Sequence, residues 1–122
     1  MKSISTLILL AHGSRAPQTL EEMEKLAAKL QRSQKGLRVL PAFLSLIKPD
    51  LSLAISHAAA NGAQEVHVLP LFLFTGKHVL EDIPALIRAN RALYPSIKLI
   101  LQKPIGHHAS FADFLLQAGG FR

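Results

Sequence analysis

Thr6-Leu7-Ile8-Leu9-Leu10-Ala11-His12-Gly13-Ser14-Arg15 is the stretch on which the reading of this chain turns. An uncharged, mostly apolar run leads straight into an imidazole, a glycine, a hydroxyl and a guanidinium. Continuous apolarity over so short a run marks a strand buried on both faces, the kind found in the middle of a parallel sheet. Gly13 permits a sharp exit from that strand. The run is far shorter than the ~20 apolar residues of a membrane span. No small-x-small cleavage site follows it, so it reads as a first strand and not as a secretory leader.

Outward from this strand, β-like and helix-like segments alternate. Pro17–Ser33 places Leu20, Met23, Leu26, Ala27 and Leu30 on one helical face. Leu37–Leu44 is a second strand, and its Pro41, unable to donate to a ladder, puts it at the sheet edge. Pro49 opens a second helix that stops at Asn61-Gly62. Glu65–Phe74 is a third, almost wholly apolar strand. A third helix runs from about Leu80 to Tyr94, with Pro84 in its first turn and Pro95 as its stop. Ile97–Leu101 is the fourth strand, and Ser110–Gln117 a last short helix. The alternation predicts an α/β fold, a three-layer sandwich in which a four-stranded parallel sheet of order 2-1-3-4 carries helices on both faces. Residues 1–122 read as a single domain.

Composition narrows the function classes. The 122 residues are 49% hydrophobic and 18% charged, which suits a folded chain. The chain contains no cysteine, so disulfides and thiolate metal sites are excluded, and a metal must be held by imidazole, carboxylate, carbonyl or water. The net charge of +6 is compatible with a polyanionic small molecule, nucleic acid or a membrane surface. One tyrosine and no tryptophan make a poor base-stacking platform, which favours the small acidic ligand over nucleic acid. The expected location is the cytoplasm, with no membrane partner.

In the order 2-1-3-4 the winding reverses between strands one and three, and ligands of such sheets bind outside the carboxyl ends at that switch point. Two loops meet there, Ala11-His12-Gly13-Ser14-Arg15 and Thr75-Gly76-Lys77-His78, each combining a glycine, an imidazole and a cation. His12 and His78, each expected just past the carboxyl end of a buried strand, can hold a divalent metal with open positions or exchange protons near neutral pH. Alternatively each bonds a loop carbonyl. Ser14, Arg15 and Lys77 offer donors to carboxylates or phosphates, unless Ser14 caps a helix and the cations are merely solvated. His57 and His67 read as structural. His107-His108 follow strand four, an outer strand, at the correct end of the sheet. Glu81 and Asp82 read as acids favoured by a helix dipole, with a bond to His78 as the other reading. There is no G-x-G-x-x-G, Walker or G-x-S-x-G pattern.

The elements Leu9-Leu10-Ala11-His12-Gly13-Ser14-Arg15, Ala42-Phe43-Leu44, Pro70-Leu71-Phe72-Leu73, Gly76-Lys77-His78-Val79 and Asp82-Ile83-Pro84 together resemble the short-form sirohydrochlorin cobaltochelatases of the CbiX type, class II tetrapyrrole chelatases of cobalamin and sirohaem synthesis. The resemblance spans nearly the whole chain. It implies an α/β sandwich, a homodimer, and insertion of cobalt(II), or iron(II) or nickel(II), into a polycarboxylate tetrapyrrole without a nucleotide. It implies that His12 and His78 bind the metal and accept the displaced pyrrole protons. The substrate-contacting set it suggests is Ser14, Arg15, Ser45, Thr75, Gly76 and Lys77. One departure stands out: the family usually has an acid where this chain has Ser45, which can neither balance a metal's charge nor take a proton at neutral pH. Asp50 is the next acid along. Either Glu81, Asp82 or His107 takes over part of that role, or activity is low, or the alternative holds: a non-catalytic metal- or tetrapyrrole-binding relative.

Overall fold

The structure, a computed structural model, describes residues 5–121, the side chain of His78 excepted. Its elements are β1 (Ser5–Ala11), α1 (Pro17–Ser33), β2 (Leu37–Phe43), α2 (Leu51–Ala60), β3 (Glu65–Pro70), α3 (Lys77–Leu93), β4 (Lys98–Leu101), a 3-10 turn (Ile105–His107) and α4 (Ala109–Ala118). The strands form one sheet of order β2-β1-β3-β4 with every neighbouring pair parallel. Fold class, strand order and the edge position of Pro41 are therefore as expected.

Burial follows the pleat. Ile8 and Leu10 of β1 and Val66 and Val68 of β3 point to one face, where they pack with Leu51, Ile55 and Ala58 of α2 and Ile83 and Ile87 of α3. Leu9, Val39 and Phe43 point to the other face and pack under Met23 and Ala27 of α1. Each fully buried Leu, Ile, Val or Phe contributes about 1.5–3 kcal/mol of hydrophobic stabilisation. Edge strand β2 is partly blunted by α1: the Val39 N–H donates to Gln31 Oε1 at 2.7 Å, occupying a backbone group that would otherwise face another chain. At the other edge, the Arg91 guanidinium donates twice to the Leu99 carbonyl, at 3.1 and 2.8 Å, tying α3 to β4. No helix among the described residues is long and apolar enough to cross a membrane.

Three boundaries differ from the sequence reading by more than one residue, and two of them bear on the site. Strand three ends at Pro70, not Phe74. The apolar residues after it serve other contacts: Phe72 is buried in the core, while Leu73 and Phe74 lie exposed in a loop. Helix three begins at Lys77, not Leu80, so Pro84 sits inside the helix and not in its first turn. Its ring leaves the Leu80 carbonyl without the usual i→i−4 donor. His78 is accordingly not at the end of a strand but on the first turn of α3, and Glu81 and Asp82 lie one turn deeper than expected. The third difference is minor: α2 starts at Leu51 with Asp50 as its N-cap, leaving Pro49 outside.

Candidate functional site

Loop one is held to the sheet by its own backbone. His12 follows β1 directly, and the β1–β2 ladder continues past the strands: the Leu44 N–H donates to the Ala11 carbonyl at 2.9 Å and the Ser45 N–H to the His12 carbonyl at 3.1 Å. Gly13 has φ of 100°, a left-handed conformation that side-chain-bearing residues avoid. A Cβ there would run into the Ser45 carbonyl oxygen, so the glycine is required by this close approach as well as by its dihedral. Ser14 Oγ accepts from the Ala16 N–H at 3.0 Å, turning the chain into α1. Ser14 is therefore not the cap of α1, whose N-cap is Ala16 with no side-chain cap; it serves the turn before the helix, and its hydroxyl proton remains available to a ligand. Arg15 is exposed.

The His12 ring, exposed on one side, lies against Phe72 with centroids 4.4 Å apart and planes at 56°. That contact orients the imidazole from the neighbouring loop. Loop three starts beside it: the Leu71 N–H donates to the Leu10 carbonyl at 2.7 Å, and the Phe72 carbonyl accepts from the Gly106 N–H at 3.0 Å. Beyond Phe72 the loop opens. Thr75 is half-buried and borders a small hollow with Val79, Ile83 and Gln102. Gly76 is the N-cap of α3 with ordinary dihedrals and open space where a Cβ would stand. Lys77 is exposed on the first helical turn. The His78 backbone belongs to the same turn, and its side chain lies outside the described residues.

The structure thus brings together His12, Gly13, Ser14 and Ser45 at the carboxyl ends of β1 and β2, and lets the loop leading to Gly76, Lys77 and His78 start at His12's flank. It separates other residues from the crevice. His57 is exposed on α2. His67 is half-buried in β3, its Nδ1 paired with Gln102 Nε2 at 3.1 Å and its Nε2 3.4 Å from Glu65 Oε1, the satisfied role expected of it. His108 is occupied at Nε2 by the Lys103 carbonyl at 2.8 Å and borders the sheet face under α1, not the crevice. His107 is exposed on the 3-10 turn.

Ser45 is itself exposed. Asp50 is not a substitute. Its Oδ1 accepts from the Leu53 N–H at 2.8 Å and its Oδ2 from Lys48 Nζ at 3.1 Å. The capping bond, and then the lysine, hold its carboxyl below the ordinary value of 3.8. Asp82 shares a hollow of about 430 Å³ with Leu44, the neighbour of Ser45, and with Ala85 and Leu86. It lies one helical turn below His78 on the same face of α3.

Sequence reading missed one feature of these loops, their exposed apolar side chains. Leu46 is 59% exposed and Phe74 91% exposed, with Leu73 and Leu80 beside them in the sequence of loop three and α3. A partial signal was present: the third apolar run, Glu65–Phe74, is at the upper end of strand length, and its excess over the strand contains Leu73 and Phe74.

Comparison with known proteins gives a consistent result. The CbiX family model matches residues 6–118. A sirohydrochlorin cobaltochelatase of Methanococcoides burtonii is 24% identical over 91% of this chain and 91% of its own length. A sirohydrochlorin ferrochelatase, chloroplastic, of Arabidopsis thaliana is 31% identical over 88% of this chain. The chain spans only 48% of that relative, and only 36% of a sirohydrochlorin cobaltochelatase of Priestia megaterium. Among solved structures, a CbiX protein of cobalamin (vitamin B12) biosynthesis from Marinobacter aquaeolei superposes with a TM-score of 0.78 at 30% identity, covering 94% of this chain and 93% of that one. The sirohydrochlorin chelatase SirB of Bacillus subtilis subspecies spizizenii, solved with cobalt, shares the fold at a TM-score of 0.77 and 24% identity, with 95% of this chain matching 50% of SirB.

Proposed function

This chain belongs to the CbiX family, and on that premise we propose that it inserts a divalent metal ion into sirohydrochlorin or a closely related polycarboxylate tetrapyrrole. The observation that carries the reading is His12, held at the switch point of the sheet by Gly13, the Ser45 backbone and the Phe72 ring, within a chain matched to the family from residue 6 to 118. Cobalt and iron are the metals named for relatives, and cobalt(II) is our choice. No nucleotide enters the reaction.

In this reading His12 and His78 take the metal from solution through neutral imidazole nitrogens, which suit late first-row divalent ions. Two protein ligands leave positions open for the macrocycle nitrogens. As the metal passes to those nitrogens, two pyrrole N–H protons leave, so the metal's two charges enter as two protons depart. The imidazoles vacated by the metal accept those protons, and Asp82 is the carboxylate best placed to help in the absence of an acid at position 45. Leu46, Leu73 and Phe74 offer apolar contact to the ring face. Arg15, Lys77, the hydroxyls of Ser14, Ser45 and Thr75, and the uncapped first turn of α3 at Gly76 offer donors to the substrate carboxylates. We read the chain as a single catalytic domain, working as a homodimer in the cytoplasm. The relatives named as enzymes favour turnover over storage of a metal or tetrapyrrole.

The test is direct. Purified protein is mixed with sirohydrochlorin and cobalt(II), and the absorption change is followed. Acceleration above a control of metal and substrate alone is the expected result, and a rate equal to that control would sink the proposal.

A further inference from the structure

Gly106 is a glycine that its own backbone does not require. It lies in the middle of the 3-10 turn, outside the left-handed region where glycine is favoured. In a helical turn alanine is the more stable residue. The need for glycine comes from a neighbouring loop. A Cβ on Gly106 would strike the Leu73 carbonyl group and stand 2.8 Å from the Leu73 Cα. These are backbone atoms, which cannot swing aside as the tip of a side chain can. The Gly106 N–H also donates to the Phe72 carbonyl at 3.0 Å. The exit of β4 and the start of loop three are thus locked together, backbone on backbone.

The turn that carries Gly106 is closed from several sides. The Gln102 N–H donates to the Val68 carbonyl at 2.9 Å and continues the β3–β4 ladder towards it. Within the turn, the His107 N–H donates to the Pro104 carbonyl at 2.9 Å and the His108 N–H to the Ile105 carbonyl at 3.2 Å. The His108 ring ties the end of the turn back to its start, its Nε2 bonding the Lys103 carbonyl at 2.8 Å. A histidine that stands apart from the crevice therefore still has a task, which is to keep this turn shut.

The lock meets loop three at the residue that touches the site. Leu71 is held on one side by the Leu10 carbonyl, and Leu73 abuts Gly106 on the other, so Phe72 is pinned between them. The buried Phe72 ring lies against the His12 imidazole, with centroids 4.4 Å apart and planes at 56°. Metal-binding histidines are commonly oriented by a hydrogen bond to the second ring nitrogen. Among the described residues, only His67 and His108 have ring nitrogens bonded in that way. For His12 the packing of an aromatic ring takes the place of that bond.

We propose that Gly106 is a positioning residue for His12: the turn closed by His108 presses on the Phe72–Leu73 backbone and sets the Phe72 ring, and with it the imidazole, at the angle in which His12 receives a divalent metal ion. The geometry stands without the chelatase reading, and only the metal-receiving role of His12 rests on it. A glycine kept for packing alone would behave differently. Its replacement would cost stability and leave His12 where it is.

NMR on the metal-free full chain reads the coupling directly. The Phe72 ring current displaces the His12 Cε1–H signal, which is identified by its loss in His12→Gln. Phe72→Leu removes the ring and so defines the whole displacement. Gly106→Ala forces the turn off loop three and is expected to lose most of it. His108→Ala opens the turn without placing an atom against Leu73 and is expected to lose a smaller part, which keeps the test decisive if Gly106→Ala does not fold. Circular dichroism checks the fold of each variant. Calorimetry with cobalt(II) then reads the consequence. Gly106→Ala and Phe72→Leu should each weaken binding about tenfold, the low end for groups that orient a metal ligand. In a His12→Ala background the same substitutions should change nothing further. A His12 signal unmoved in folded Gly106→Ala and His108→Ala would overturn the proposal, and so would an equal loss of cobalt affinity with His12 absent. A His12 signal that responds as expected, in a protein that does not accelerate cobalt insertion, would reject the proposed reaction and leave the positioning role standing.

Discussion

Loop one and loop three rise from adjacent strands, the first carrying His12 and the second leading to His78, yet they are built differently. Loop one is fixed by its own backbone: Gly13 is wedged against the Ser45 carbonyl, the His12 carbonyl is occupied, and Ser14 turns the chain into α1. Loop three is fixed only where it begins, by Leu71 and Phe72, after which Leu73 and Phe74 are exposed and Gly76 stands in open space. A loop pinned by its own backbone beside one left open suits a ligand that must be received and then released. In the reaction we propose, loop one presents the ion at a fixed point.

The comparison can be broken most severely at the imidazoles. His12→Ala is expected to lower the rate of cobalt insertion by about 10²–10⁴-fold, the range for loss of an acid–base group. His78→Ala should cost a similar factor. Absorption-monitored insertion checks both, and a loss confined to His12 would mean that loop three does not share the metal.

Next come the two glycines. Gly13→Ala should cost at least the ~1–3 kcal/mol of a strained backbone, with the clash against Ser45 added. Gly76→Ala should stay within about 0.5 kcal/mol. Urea denaturation separates them, and equal costs would refute the contrast between a pinned loop and an open one.

The third test restores charge beside loop one. Ser45→Glu is expected to tighten cobalt(II) binding about tenfold, on the scale of one charge-assisted contact. Calorimetry measures it, and an unchanged affinity in Ser45→Glu would show that the missing acid does not limit this protein.

The smallest effect lies at Asp50, below the same β2 exit. Its folded-state carboxyl is lowered, so its contribution is present above the ordinary value of 3.8 and fades as pH falls through the folded value. Asp50→Ala should cost about 1 kcal/mol at neutral pH, as for other N-caps. That difference should shrink below the ordinary carboxyl range, as thermal unfolding at neutral and acidic pH will show.

Much of the architecture was legible because it rests on local signals. Continuous apolar runs mark strands buried on both faces, helical periodicity marks α1, and Pro41 can be accommodated only at an edge. The errors cluster around loop three, where apolarity means several things at once. Phe72 is apolar because it fills the core and carries His12, and Phe74 is apolar although it is exposed, so a run from Glu65 to Phe74 looked like a strand of that length. Pro84 argued for a late helix start. The helix instead begins at Lys77 and accommodates the lost bond inside.

The chain by itself therefore determined the α/β class, the order of the strands, the switch-point location of His12 and the lack of an acid at position 45. These follow from side-chain chemistry and from the periodicity of a few neighbouring residues. Only the tertiary structure decided that His78 starts a helix and does not end a strand, that Gly13 is held by the Ser45 carbonyl, and that Asp50 is spent on a cap. It alone revealed that α4 has no buried residue and packs against the 3-10 turn. Each of these depends on which distant backbone group lies alongside, and residue type alone does not specify that.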